Sequence, residues 1–177
     1  DGQLRSPMGG ASWSGKIDLA DKRPSYDLHA AVNDFDLEQI GQSNKALNGK
    51  LNLRGTVTGS GINFADMNAH ADVQVLPSSV ASIAVNQGNF NLSLNGNKVR
   101  IARAELSTAD STLSAAGEVG LDAEMNGSFD YRARIGDVAP WLALVSRKGS
   151  GSMDIAGRAQ GNLSDLQTRG NVRLTAL

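Results

Sequence analysis

The chain has 177 residues, and its 17 Lys and Arg against 18 Asp and Glu give a formal net charge of −1. That balance excludes a global positive field able to hold a nucleic-acid backbone or an anionic bilayer surface. There is no cysteine, so neither a disulfide framework nor a thiolate metal site can form.

Only 5% of the residues are aromatic, and 20 glycines cut the 40% hydrophobic content, mostly Ala, Val, Leu and Ile, into short pieces. Such a composition suits many strands and tight turns. Period-2 alternation of apolar and polar residues, the mark of half-buried strands, begins at 16–19 (KIDL) and 26–32 (YDLHAAV). At 34–40 the rhythm breaks: DFDLEQI opens on an Asp suited to capping and predicts a short helical insert over 35–40. Strands follow at 49–57 (GKLNLRGTV), 68–75 (NAHADVQV), 88–96 (GNFNLSLNG) and 98–102 (KVRIA). Between the last two, NGNK is a tight hairpin signal, because Asn and Gly tolerate positive φ. Near Ala102 the apolar parity slips from odd to even numbers, which marks a bulge or a turn. Further strands are predicted at 112–121 and 127–135, a second insert over 138–145 in DVAPWLALV, and final strands at 151–157 and 170–177. Pro140 fits an early helical position, where its missing N–H costs nothing.

The first half of this pattern returns about 102 residues later. Gly15, Ile17 and Leu19 correspond to Gly117, Val119 and Leu121; Asp34 and Phe35 to Asp137 and Val138; Gly49, Leu51, Leu53 and Gly55 to Gly151, Met153, Ile155 and Gly157. What repeats is geometry, with glycines at turns and small or branched apolar residues on one face. The expected organisation over 1–177 is a fragment of a longer repetitive β-domain, with an approximate repeat over 11–112 and an incomplete second copy over 113–177.

Alternation puts one apolar stripe on the strands: Ile17, Leu19, Leu28, Val32, Leu51, Leu53, Val73, Val75, Phe90, Leu92, Leu94, Val99, Ile101, Val119, Leu121, Tyr131, Ile135, Ile155, Val172 and Leu174. A closed barrel, a sandwich and an open groove all satisfy it. Interspersed Ala30, Ala69, Ala71, Ala115 and Ala133, with few aromatics, leave room along the stripe for acyl chains or a guest strand.

Catalytic, cofactor-binding and metal residues are not predicted. His29 and His70 stand in strands; His70 has Asp72 on its own face but lacks further ligands at a metal-binding spacing. Asp34 and Asp36 are a candidate carboxylate pair for acid–base work, but helix capping accounts for Asp34, and GSGSMDIAG precedes a strand, not the helix a phosphate loop needs. Ser111 and Ser114 lack His and Asp partners in a recognisable motif. NLS at Asn91 and Asn162 matches a common glycosylation tripeptide. Lys98, Arg100, Arg132 and Arg134 read as solvated strand faces, and Trp141 with Leu142 as a short helix packed across the sheet end.

The phrases LNGKLNLRGTVTGSG, DMNAHADVQV and GSGSMDIAGRAQGNLSDLQTRGNVRL, with AELSTADSTLSAAGEVGL between them, resemble the AsmA-like and TamB-like proteins of Gram-negative envelopes. The likeness is to the C-terminal conserved region of the TamB branch, the inner-membrane subunits of translocation and assembly modules. It implies an all-β fold, an elongated curved sheet forming a half-pipe (β-taco) with an apolar concave face and short helical inserts. It also implies a periplasmic location, with the full-length protein anchored in the inner membrane by a segment outside this sequence. The implied partners are phospholipid or acyl chains, a TamA-like Omp85 outer-membrane barrel, and nascent outer-membrane protein strands.

On that reading the stripe is a groove section supporting phospholipid transport and the assembly of outer-membrane proteins, autotransporters in particular. Each methylene kept from water contributes roughly 0.8 kcal/mol, so a continuous trough would carry lipid tails with no chemistry and no cofactor. The alternative is a protein-interaction scaffold that holds partner β-strands at its edge, without lipid conduction.

Overall fold

The computed structural model describes residues 1–20, 23–39, 48–63, 66–81, 83–144, 146–162 and 164–175. Its strands are β1 (Gly2–Ser6), β2 (Gly9–Asp18), β3 (Ser25–Asp36), β4 (Lys50–Ser60), β5 (Asn68–Val75), β6 (Ser78–Val80), β7 (Ile83–Val85), β8 (Gln87–Asn95), β9 (Lys98–Ser107), β10 (Ser111–Gly120), β11 (Gly127–Ile135), β12 (Ser152–Gly161) and β13 (Leu166–Thr175). A 3-10 turn at Leu37–Gln39 follows β3, and a short helix, α1 (Ala139–Ala143), follows β11.

All strands but β6 and β7 form one 11-stranded sheet in chain order, β8 following β5, with every neighbouring pair antiparallel. β6 and β7 pair with each other as a separate hairpin between β5 and β8. At about 4.8 Å between neighbours the sheet is about 48 Å across its strands.

This sheet is extended and flat. β1 and β13 are its two ends and do not pair, and the substantial strand contacts run between hydrogen-bonded neighbours, apart from β6 resting on β4. The all-β architecture is as expected, but the curled half-pipe with an apolar concave face is overturned. Alternation decides which face each side chain takes, and a flat sheet satisfies the same period as a trough.

Two irregularities interrupt the ladder. On β9, Asn91 is opposite Arg103 but Leu92 is opposite Ile101, so Ala102 is an extra residue. The apolar parity slip at Ala102 is this β-bulge, after which Ala104 and Leu106 continue the face of Val99 and Ile101. On β3, Val32 pairs with Leu53 and Phe35 with Leu51, leaving Asn33 and Asp34 to share one opposing residue. Asp34 adopts φ 51° there, and its N–H donates to Asn52 Oδ1 at 2.7 Å.

That second bulge revises the first insert. β3 continues to Asp36 before the 3-10 turn, and it is Asp36 Oδ1, not the Asp34 carboxylate, that accepts from the Glu38 N–H at 3.0 Å. Residue 40 lies outside the described residues. In the second insert Asp137 Oδ1 accepts from the Ala139 N–H at 2.9 Å, one residue before the helix N-cap Val138, and Pro140 occupies the first turn. The helix is shorter than 138–145 because it closes at Ala143; residue 145 lies outside the described residues.

Among the described residues the buried apolar side chains are few: Ile83, Val85, Ile135 and Val138. All lie at one end of the sheet: Ile83 and Val85 in the hairpin, Ile135 as the last residue of β11, and Val138 just before α1. The hairpin is tied down by side chains: Ser79 Oγ accepts from Lys50 N–H, Ser78 Oγ accepts from Asn52 N–H, and Asn52 Nδ2 donates to the Pro77 carbonyl. Elsewhere the sheet is a single layer.

Candidate functional site: the open edge strand

Directly opposed residues in an antiparallel ladder share a face, so the register can be followed across the sheet. One row runs Trp13, Ala30, Gly55, Val73, Phe90, Ala104, Ala115, Tyr131, Gly157, Gly170. The stripe residues within strands fall on this same face, from Ile17 in β2 to Val172 and Leu174 in β13. Leu19 and Leu121 lie just beyond the ends of β2 and β10. Because the sheet is flat, these side chains form a face and line no groove.

Trp13, Leu106, Leu113 and Phe129 also belong to this face, though the stripe read from sequence omits them. Parity could have found Phe129, two residues before Tyr131; Leu106 becomes readable only once the Ala102 bulge resets the count. Aromatic rings here lie across glycines of the adjoining strands. A Cβ on Gly2 would meet the Trp13 ring, and one on Gly59 or Gly157 would lie 2.7 Å from the hydroxyl of Tyr26 or Tyr131. Such rings cover glycine backbone that has no side chain of its own to shield it.

The opposite face is polar. Depressions of about 770 and 670 Å³ lie on that side, the first bordered by Ser12, His29, Arg54, Thr56 and Asp72, the second by Arg103, Glu105, Asp130, Arg132 and Arg169. Ion pairs cross it at Lys98–Glu118 (3.5 Å), Arg134–Asp154 (3.2 Å) and Arg158–Asp130 (2.6 Å), with Arg103–Glu105 (3.4 Å) along β9.

Arg158 grips Asp130 with two nitrogens, Nε to Oδ1 at 2.8 Å and Nη2 to Oδ2 at 2.6 Å. The bonded guanidinium holds the Asp130 carboxyl below its ordinary pKa. Hydrogen bonds from Ser111 and Thr108 do the same for Asp110. A depressed folded pKa adds stability that is present above the unfolded carboxylate value and is lost as pH falls through the folded one. The urea midpoint is therefore expected to be set partly by these two groups below about pH 4, with Asp110→Asn and Asp130→Asn each flattening the acid limb. An unchanged acid limb in both variants would contradict this.

The residues considered for chemistry are dispersed. His70 Nε2 lies 3.1 Å from Asp72 Oδ2, and Asn91 Nδ2 donates to Asp72 Oδ1 at 2.6 Å; His29 is 3.5 Å from Asp27. No group of three potential metal ligands occurs among the described residues. Ser111 is buried and its Oγ donates to Asp110 Oδ1 at 2.9 Å, while Asn162 Oδ1 accepts the N–H groups of Ser164 and Asp165 in the β12–β13 turn. The Gly151 carbonyl accepts the Val138 N–H and the chain then enters β12, so GSGSMDIAG is a strand entrance.

The sheet's ends are its distinctive feature. β13 pairs with β12 along its whole length, Leu166 with Gly161 through Thr175 with Ser152, and no described strand pairs with its other side. All ten of its residues are exposed, and LQTRGNVRLT contains no proline. Alternate residues of such an edge direct N–H and C=O groups outward, where a further strand can take them up. The other edge, β1, is only five residues long.

No family model, curated protein or solved structure matches this chain.

With that result and a flat sheet, the reading of a curved groove that conducts phospholipid is overturned. The physical reason is the one given for the fold: an apolar stripe at period 2 fixes a face and not a concavity. No helix among the described residues is long and apolar enough to cross a membrane.

Proposed function

We propose that this chain is a protein-interaction scaffold that holds substrate or partner β-strands by edge augmentation, without lipid conduction. The observation that carries it is β13, a ten-residue, fully exposed strand whose outer side has no partner strand among the described residues. Main-chain hydrogen bonds supply affinity in this mode, and the side chains on the two faces select the guest. The action is binding, and no catalytic residue is assigned. Resemblance to the AsmA-like and TamB-like family adds a setting to the proposal: the periplasm, with nascent outer-membrane protein strands or a TamA-like barrel as strand donors.

Amide hydrogen exchange tests it. A peptide of β13's length with alternating apolar and polar residues is expected to slow exchange at alternate residues of β13, while the same peptide N-methylated on its pairing side leaves β13 unprotected. Equal effects of the two peptides, or no protection from either, would overturn the proposal.

A further inference from the structure

Resting on that edge reading, we infer that β13 selects guest strands bearing two acidic residues four positions apart on one face, with apolar residues on the other. The argument starts from two rows of the polar face. One runs Ala116, Asp130, Arg158, Arg169, and the other Thr112, Arg134, Asp154, Arg173. In the first row both Asp130 oxygens are taken by Arg158, so Arg169 stands opposite a like charge. In the second, Asp154 is bonded to Arg134, on the side away from β13.

Arg169 and Arg173 therefore end both rows with positive charge, and neither has a carboxylate within ion-pair distance among the described residues. A strand added beside β13 would place one residue opposite each. Because Arg169 and Arg173 are four apart on one strand, the complementary carboxylates are four apart on the guest, whether it runs parallel or antiparallel. On the other face Val172 and Leu174 are 62% and 71% exposed, and apolar guest residues would cover them.

Charge also disfavours a second copy of this chain pairing through its own edges. β13 contains no acidic residue, and neither does β1, whose polar face instead carries Arg5. The occupant is thus a strand of different sequence, recognised by acidic residues at this spacing.

Three peptides of identical apolar pattern, carrying Glu, Ser or Lys at the two positions, would be titrated against the full 177-residue chain by fluorescence anisotropy. The Glu peptide is expected to bind about 2- to 30-fold more tightly than the Ser peptide at low salt, the sum of two cross-strand charge pairs. The difference should shrink in high salt. In the chain carrying Arg169→Glu and Arg173→Glu the Lys peptide should become the preferred guest, and Arg169→Gln with Arg173→Gln, which keeps the strand uncharged, should erase the preference. Equal binding of Glu and Ser peptides, with β13 still protected from exchange, would overturn the selectivity and leave edge pairing standing. Absence of binding by every peptide, with β13 unprotected, would overturn edge pairing and the selectivity with it.

Discussion

Replacing Gly117 by Val is expected to destabilise the sheet by about 3 kcal/mol or more, whereas Gly10→Thr should be neutral or stabilising by up to about 1 kcal/mol. Gly117 lies in the middle of β10, between Ile101 and Phe129. A Cβ there would collide with the Ser128 carbonyl and approach the Phe129 ring carbon Cδ1 to 2.8 Å. Neither obstacle yields cheaply, since one is backbone and the other is a ring laid over this glycine. Gly10 is the contrasting case, because its nearest obstacle is the Leu4 carbonyl at 3.9 Å. At that position a β-branched residue gains strand propensity and loses nothing. Urea unfolding of both variants checks the prediction, and equal midpoints would show that the Phe129 ring does not depend on the glycine beneath it.

Leu92→Glu should cost about 2 kcal/mol, while Ser93→Glu, one residue along, should stay within about 0.5 kcal/mol of the parent. Leu92 is half-buried and lies between Ala71 and Ile101 on the apolar face. Ser93 lies between His70 and Arg100 on the polar face, where a carboxylate gains a cationic neighbour. Denaturant midpoints measure both. Similar losses in the two variants would mean that the faces differ less in environment than the ladder implies.

The strands and their faces were legible because period 2 is a local property: Phe90, Leu92 and Leu94 against Asn91, Ser93 and Asn95 need no knowledge of their neighbours. The Ala102 bulge was legible for the same reason, as a break in parity. The β3 bulge was not, because Asp34 is polar and its positive φ leaves the apolar pattern undisturbed; its carboxylate therefore looked like a cap when Asp36 performs that role. β1, β6 and β7 are too short to show a period. Curvature could not be read at all, since the bend of a sheet accumulates over many strands. Nor could the edge position of β13, which depends on the strand order among the described residues and not on any one side chain. Arg169 and Arg173 carried no signal in the sequence, because only the ladder shows that Asp130 and Asp154 are already engaged by Arg158 and Arg134.

The strictly sequential strand order also bears on how the molecule comes into being. Each strand of the large sheet needs only the one before it; the longest connection, residues 136–151 between β11 and β12, carries the short helix α1, and the one between β5 and β8 is a hairpin that closes on itself. Contacts separated by so little chain close quickly, and folding can advance as a zipper in the direction of synthesis. At every stage of that advance the most recently added strand presents an unsatisfied row of amides and carbonyls. The intermediates of such an advance carry the same adhesive margin that β13 presents among the described strands.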